Sequence, residues 1–400
     1  MRTIRFLAVA IGSVALAYIA GAQAFETWGS RFMTDAVLKL DSRSAGALAM
    51  QSERAWEDKD KSRFQKIAKA NSLNALRSEP LSYRAVRQLG LYYNAAGNPA
   101  KARELIDLST KLTRRDGLGQ LWLAEDYARR GRLNESLRAF DIVIRIQPDA
   151  REVAYRAMGA ALADTEFRNA FVTLARRGPP WLPSFLAYNV GESARPADIA
   201  AIVRALQPLP PSVLPAKETG ALLSRLVDSA PIDDARLLYL SLPMARRERL
   251  TSLAFSSPRD VLLYPPFGWE VFDNTGVEAF GGSDGKSATI EATVMPGYRG
   301  TAARKLLFLP AGSYDWSGTT DLTQMAPEAT AKIVLSCYSA PGKWARSGEF
   351  PLRNGANRFA ISVPGKCPAQ LLSIELVGAD NQADSSMTLG SMALAGAKAN

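Results

Sequence analysis

Two spacings of hydrophobic positions divide the chain. Up to about residue 255 apolar side chains recur every three or four positions, the signature of amphipathic helices, as in Pro196–Leu206 and Leu214–Val227. From Pro265 onward the spacing falls to two. Ser287–Val294 alternates throughout and puts Ala288, Ile290, Ala292 and Val294 on one face of a strand. Further strands are expected at 304–309, 313–318, 331–339, 358–363, 371–377 and 387–395, with turns at Pro310–Gly312, Gly281–Gly285 and Asn354–Asn357. Eight or nine short strands in about 130 residues fit an antiparallel β-sandwich or jelly roll. A third pattern opens the chain. Met1–Arg5 is basic, Phe6–Ala22 is uncharged and mostly apolar, and Ala22-Gln23-Ala24 closes the run. This describes a secretory signal cut after Ala24, yet 17 apolar residues also reach the lower limit of a membrane-spanning helix. Both alternatives carry the rest of the chain across the membrane, because Arg2 and Arg5 hold the N-terminus on the cytoplasmic side.

The helical half has a longer period. Leu89-Gly90-x-x-Tyr93 aligns with Leu123-Ala124-x-x-Tyr127 at an offset of 34 residues, and the same offset maps Gly97 to Gly131, Ala102 to Ser136 and Ile106 to Phe140. Pro148 closes the second unit, as Pro80 precedes the first. This pattern resembles the tetratricopeptide (TPR) repeat, a helical hairpin of 34 residues. Gly90 or Ala124 and Ala102 or Ser136 are small where the two helices of a hairpin would cross, and Gly97 or Gly131 would end the first helix. Val86 and Gln120 stand in the usual Trp position, and Arg114 where Pro is expected. A weaker copy runs from Ser42 to Pro80, with Ala45–Trp56 as its first helix. Ala36–Asp41 looks like the end of another helix, and Ala154–Ala163 starts a fourth unit that decays before Gly178-Pro179-Pro180. The resemblance implies a right-handed α-solenoid over 25–180, with degenerate helical hairpins continuing it over 181–257 or forming a separate α-domain. The expected fold class is therefore multidomain α plus β: residues 1–24 signal or anchor, two helical stretches, and a sandwich over 258–400.

The sandwich carries a second resemblance. Phe267-Gly268-Trp269, the Leu309–Tyr314 hairpin and the hydrophobic closing strand look like the jelly roll of carbohydrate-binding modules, although Ser386–Ser391 lacks the acidic residue of calcium-binding members. That likeness implies glycan contact through aromatic rings. Tyr314 and Trp316 share one strand face, with core packing as the competing reading. Tyr338 lies on the opposite face from Leu335 and Cys337, and Trp344 sits in a polar stretch, Gly342–Gly348. Cys337 and Cys367 are expected to form a disulfide, the natural state of two cysteines in an exported domain.

Composition removes whole classes of chemistry. The chain has no histidine and two cysteines, which excludes Ser-His-Asp and Cys-His sites, HExxH enzymes, zinc fingers and iron–sulfur clusters. No cofactor or metal is expected. Glu270, Asp273 and Glu291 fall at strand spacing and read as solvated faces rather than a catalytic carboxylate pair. The net charge of +10 resides in the helical half: residues from 261 on hold 11 basic and 12 acidic side chains. Clusters such as Arg114-Arg115, Arg129-Arg130, Arg176-Arg177 and Arg246-Arg247 read either as a solvated surface or as attraction to anionic polysaccharide or headgroups. Nucleic acid is not an expected partner. The reading is a non-enzymatic periplasmic scaffold of the bacterial cell envelope, anchored by residues 6–22 or released after Ala24. Its TPR-like surface would hold envelope proteins and its sandwich a glycan, by analogy in exopolysaccharide synthesis or export. A protein adaptor without a sugar ligand and an unrecognised carbohydrate-active enzyme are the alternatives.

Overall fold

The computed structural model describes residues 28–30, 32–57, 61–254, 263–283, 288–380 and 383–396. The expected signal or anchor, residues 1–24, lies outside the described residues. No helix among the described residues is long and apolar enough to cross a membrane. The chain divides into two compact units, residues 1–154 and 155–400.

In the first unit a short helix, α1 (Thr34–Leu40), precedes three helical hairpins. These are α2 (Ala45–Glu57) with α3 (Lys61–Ser78), α4 (Tyr83–Ala95) with α5 (Pro99–Leu112), and α6 (Gly117–Arg129) with α7 (Leu133–Ile146). The 34-residue offset has a direct structural meaning. A Cβ on Gly90 would lie 2.6 Å from Ile106 Cγ1 and 3.2 Å from the Ala102 carbonyl, so α4 and α5 touch at their backbones there. Ala102, Ala124 and Ser136 are fully buried, Phe140 is buried, and Tyr93 and Tyr127 pack partly buried against the core around Ile106 and Leu123. Gly97 and Gly131 end the first helix of their hairpins at φ 79° and 69°, a left-handed conformation that costs other residues energy. Pro148 opens a single 3₁₀ turn, Pro148–Ala150. Asn98 and Asp116 cap α5 and α6 through their side chains.

Asp116 has a second role. It accepts hydrogen bonds from Arg87 and from the Ser109 hydroxyl (2.7 Å), while Arg87 also reaches Glu53 at 2.7 Å. Arg87 and Asp116 are almost wholly buried. Such charges are tolerated inside because each has its partner, and removing one would leave the others uncompensated.

Among the described residues, the second unit contains three hairpins, the first of which starts four residues before the boundary, and the sandwich. The hairpins are α8 (Arg151–Ala161) with α9 (Thr165–Ala175), α10 (Leu182–Glu192) with α11 (Pro196–Ala205), and α12 (Ala216–Ser229) with α13 (Ile232–Ser241). The helix α9 lies where the repeat pattern of the sequence fades before Gly178. Asp164 caps it by accepting from Phe167 N at 2.8 Å, and Phe171 packs on Phe185 with ring centroids 4.8 Å apart.

Among the described residues, eleven strands form two antiparallel sheets. One is ordered β1 (Glu270–Val271), β5 (Arg299–Leu307), β10 (Gln370–Val377), β7 (Thr330–Ala340), β8 (Lys343–Pro351). The other is ordered β2 (Asp273–Asn274), β3 (Val277–Ser283), β4 (Ala288–Val294), β11 (Ser385–Gly396), β6 (Gly312–Gln324), β9 (Gly355–Val363). The predicted strands are present, several of them longer than expected. Three expectations change. Gly342–Gly348 belongs largely to β8, an edge strand whose outward positions are polar because only one side has a neighbour. Gly355–Asn357 opens β9 instead of making a turn. Gly281–Ser283 is the end of β3, and Asp284 and Gly285 lie outside the described residues.

The core between the sheets uses the faces expected from alternation: Ala288, Ile290, Ala292 and Val294 meet Ile333, Leu335, Leu372 and Ile374. Cys337 and Cys367 form the disulfide, with Cα atoms 5.2 Å apart. It closes a 30-residue separation, which on loop entropy contributes about 3–4 kcal/mol. Buried Gln370 braces it by donating to the Cys367 carbonyl at 2.8 Å and accepting from Leu309 N at 2.7 Å. Lys305 is the exception to this apolar pattern. It is 3% exposed, opposite Leu372 in the ladder, and its Nζ donates to the Phe267 carbonyl at 2.6 Å. Burial, with Arg249 nearby, pushes its pKa down to about 7.

Candidate functional site

The pairing β3–β4–β11–β6 lines up two outward-facing rows across four strands. Register places Phe280 beside Glu291, Glu291 beside Thr388, and Thr388 beside Asp321. The next row is Gly282, Thr289, Gly390 and Thr319. These rows outline a trough of about 430 Å³ lined by Thr289, Glu291, Thr319, Asp321, Thr388 and Gly390, with Ser283 at one end. Two missing side chains make the depression. A Cβ at Gly282 would fall 2.0 Å from Glu291 Oε1 and 2.8 Å from Thr289 Oγ1, and one at Gly390 would sit 3.3 Å from Thr289 Cγ2.

The polar groups of the trough are unevenly satisfied. Thr319 Oγ1 donates to the Gly390 carbonyl at 3.2 Å. Asp321 accepts from Thr323 Oγ1 at 2.6 Å and Thr323 N at 2.9 Å, and these bonds hold its carboxyl below the usual carboxylate range. Thr289 is only 2% exposed and its Oγ1 has no hydrogen-bond partner. A buried hydroxyl left unpaired costs free energy that a ligand or water can recover. Phe280, 54% exposed, sets an apolar ring beside this hydroxyl- and carboxylate-rich floor. A flat ring next to hydrogen-bonding groups offers both things a sugar presents, a C–H face and an array of hydroxyls.

The aromatic residues picked out from the sequence lie elsewhere. Trp316 is fully buried, stacked on Phe359 at 4.4 Å, which in turn stacks on Phe350 at 4.8 Å. It holds the two sheets together and cannot meet a ligand. Tyr314 packs partly buried against the same core and donates its hydroxyl to the Pro310 carbonyl at 2.8 Å. Core packing, the competing reading, therefore describes both. Tyr338 and Trp344 are cross-strand partners on the outer face of the other sheet, both half-buried, with rings 5.4 Å apart at 70°. An edge-to-face pair offers no continuous flat platform. The turn between them is pinned: a Cβ on Gly342 would be 2.6 Å from the Asp228 carbonyl at the end of α12. On that same face Arg304 pairs with Asp228 at 2.7 Å and with Glu270. Glu270 is thus an ion-pair partner and not a solvated acid.

The trough residues themselves drew no functional reading from the sequence, and Glu291 was expected to be a solvated acid. One signal pointed at them. In Ser287–Val294 the positions between the apolar ones are Thr289, Glu291 and Thr293, and β11 and β6 carry hydroxyls in register with them.

The first unit has its own cleft, about 460 Å³, lined by Glu53, Tyr83, Arg84, Arg87, Arg115 and Asp116, among others. Arg87 carries one positive charge against the two negative ones of Glu53 and Asp116, and Arg54, Arg84 and Arg115 make the lining net positive.

No family model matches the sequence, and no curated protein does. Among solved structures, the chain is similar to the CBM22-1 xylan-binding domain from Paenibacillus barcinonensis Xyn10C, at 12% identity and a TM-score of 0.26. That match covers 38% of this chain and 96% of the other. It is also similar to TmCBM61 in complex with β-1,4-galactotriose, at 15% identity and a TM-score of 0.22, over 32% of this chain and 88% of that one. A further likeness, to the enzymatically active domain of bacteriophage CBA120 tailspike protein 4, has 8% identity and a TM-score of 0.25. It covers 32% of this chain but only 19% of the tailspike's length.

Proposed function

We propose that the sandwich binds a glycan chain in the trough between β3 and β6, and that the chain acts as a non-enzymatic scaffold of the bacterial cell envelope. The observation that carries this reading is the exposed ring of Phe280 in register with Glu291, Thr388 and Asp321, above a glycine floor that leaves the Thr289 hydroxyl unpaired. The depressed pKa of Asp321 speaks against its serving as a general acid, which needs a carboxyl that stays protonated. The helical hairpins, read as TPR-like repeats in a solenoid, supply the protein-docking surface. The basic rim of the first-unit cleft favours an acidic segment of an envelope partner. Export by residues 1–24 and a place in exopolysaccharide handling complete the proposal.

The test is affinity electrophoresis of the full chain through gels containing soluble polysaccharides, with Phe280→Ala alongside. Phe280 is exposed, so truncating it should leave the fold intact while weakening binding about tenfold, the scale of one lost ring contact. Retardation that is the same in both proteins would remove the trough from the reading. If no polysaccharide retards the wild type, the adaptor without a sugar ligand takes its place.

A further inference from the structure

The trough is charged as well as polar, and among the described residues its charge has one sign. Among its described lining residues two are acidic, Glu291 and Asp321, and none is basic. They flank Thr388 in one row, two ladder spacings or about 10 Å apart, a distance that one sugar residue spans between them. Glu291 Oε1 and the unpaired hydroxyl of Thr289 both border the space where Gly282 lacks a side chain, 2.0 and 2.8 Å from where a Cβ would stand. Thr289 is 2% exposed and lines the trough, so its unpaired hydroxyl marks a ligand position besides the two acids. A sugar seated there would meet a carboxylate at each end of the row and hydroxyl groups between them.

We infer that the glycan held in this trough carries free amino groups, that is, that the site prefers a de-N-acetylated hexosamine chain over neutral or uronate-bearing ones. The inference rests on the glycan reading above. An ammonium group on the sugar would form a charge-assisted hydrogen bond with Glu291 or Asp321, stronger than the bond a neutral hydroxyl makes. A uronate would instead place like charges together in a partly desolvated groove. Asp321 stays ionised in mildly acidic solution, where most sugar amines carry a proton. The rest of the molecule works against such a preference, because the whole chain carries a net charge of +10 and repels a polycation at long range. Preference for the amine would therefore come from the trough alone.

The experiment measures binding of the full chain at pH 6 by calorimetry with four oligosaccharides of equal length: a β-1,4-glucosamine oligomer, its N-acetylated form, a cello-oligosaccharide and an oligogalacturonate. The expected result is that the free amine binds about tenfold more tightly than its N-acetylated twin and that the uronate binds most weakly. The amine-to-acetyl ratio should fall towards one in 0.5 M salt, where screening is short-ranged, and in the double variant Glu291→Gln/Asp321→Asn. Equal affinity for amine and N-acetyl forms in the wild type overturns the inference and leaves the glycan reading in place. A preference that survives the double variant also overturns it, since the charge would then lie elsewhere. Failure of all four to bind, together with no retardation in polysaccharide gels, overturns both.

Discussion

Replacing Lys305 with Met should stabilise the protein at neutral pH and do so less as the pH rises. The side chain lies in the sandwich interior, 3% exposed, with Phe267 O as the partner of its Nζ. Its pKa is lowered from 10.5 to about 7, by burial first and by Arg249 second. A lysine whose folded pKa is depressed binds its proton more tightly in the unfolded chain. Between about pH 7 and pH 10.5 the unfolded state is therefore protonated and the folded state neutral, and stability rises with pH by about 1.4 kcal/mol per unit. At pH 7 the group costs about 4 kcal/mol relative to strongly alkaline solution. Lys305→Met removes that linkage but leaves the Phe267 carbonyl without this donor, a loss of about 1–3 kcal/mol. The net expectation is a gain of about 1–3 kcal/mol at pH 7 that shrinks to about zero near pH 9.5. Urea unfolding followed by tryptophan fluorescence, at matched pH values for the two proteins, gives the difference directly, and other titrating groups cancel in it. A difference that stays constant from pH 7 to 9.5 would show that Lys305 titrates normally and would refute the argument.

Two further outcomes test the other halves of the molecule. Gly90→Leu should lower the thermal midpoint, because even a Cβ there meets Ile106 at 2.6 Å; the expected cost is about 1–3 kcal/mol. An unchanged midpoint would argue against the close crossing of α4 and α5. A phosphatase reporter fused after Asn400 should be active if residues 1–24 export the chain, and activity confined to a cytoplasmic reporter would sink the envelope proposal.

Much of the architecture was legible because it depends on local spacing. The 34-residue offset located both glycines that end α4 and α6, since a left-handed turn at Gly97 and Gly131 is a property of a few consecutive residues. Alternation over Ser287–Val294 located β4 and its buried face, and two cysteines in the β segment pointed to their bond. Where spacing was weak, so was the reading. β8 has an open edge and needs no apolar alternation, and α9 shares too few signature residues with its neighbours for the period to reveal it.

The candidate site was hidden for a different reason. Alternation told that Tyr314 and Trp316 share a face, but not whether that face looks inward, and only the packing of Trp316 on Phe359 and Phe350 decided it. Likewise, Phe280, Glu291, Thr388 and Asp321 lie on four strands spread over more than a hundred residues, and β11, last in the chain, is inserted between β4 and β6. The sequence by itself determined the strands, the hairpins, the disulfide partners and the absence of imidazole chemistry, all set by composition or by neighbours within a few positions. The tertiary structure alone decided which polar faces meet, which aromatic rings are buried and where a lysine loses its water. Those outcomes depend on pairing between distant strands, and a period of two carries no record of its partner.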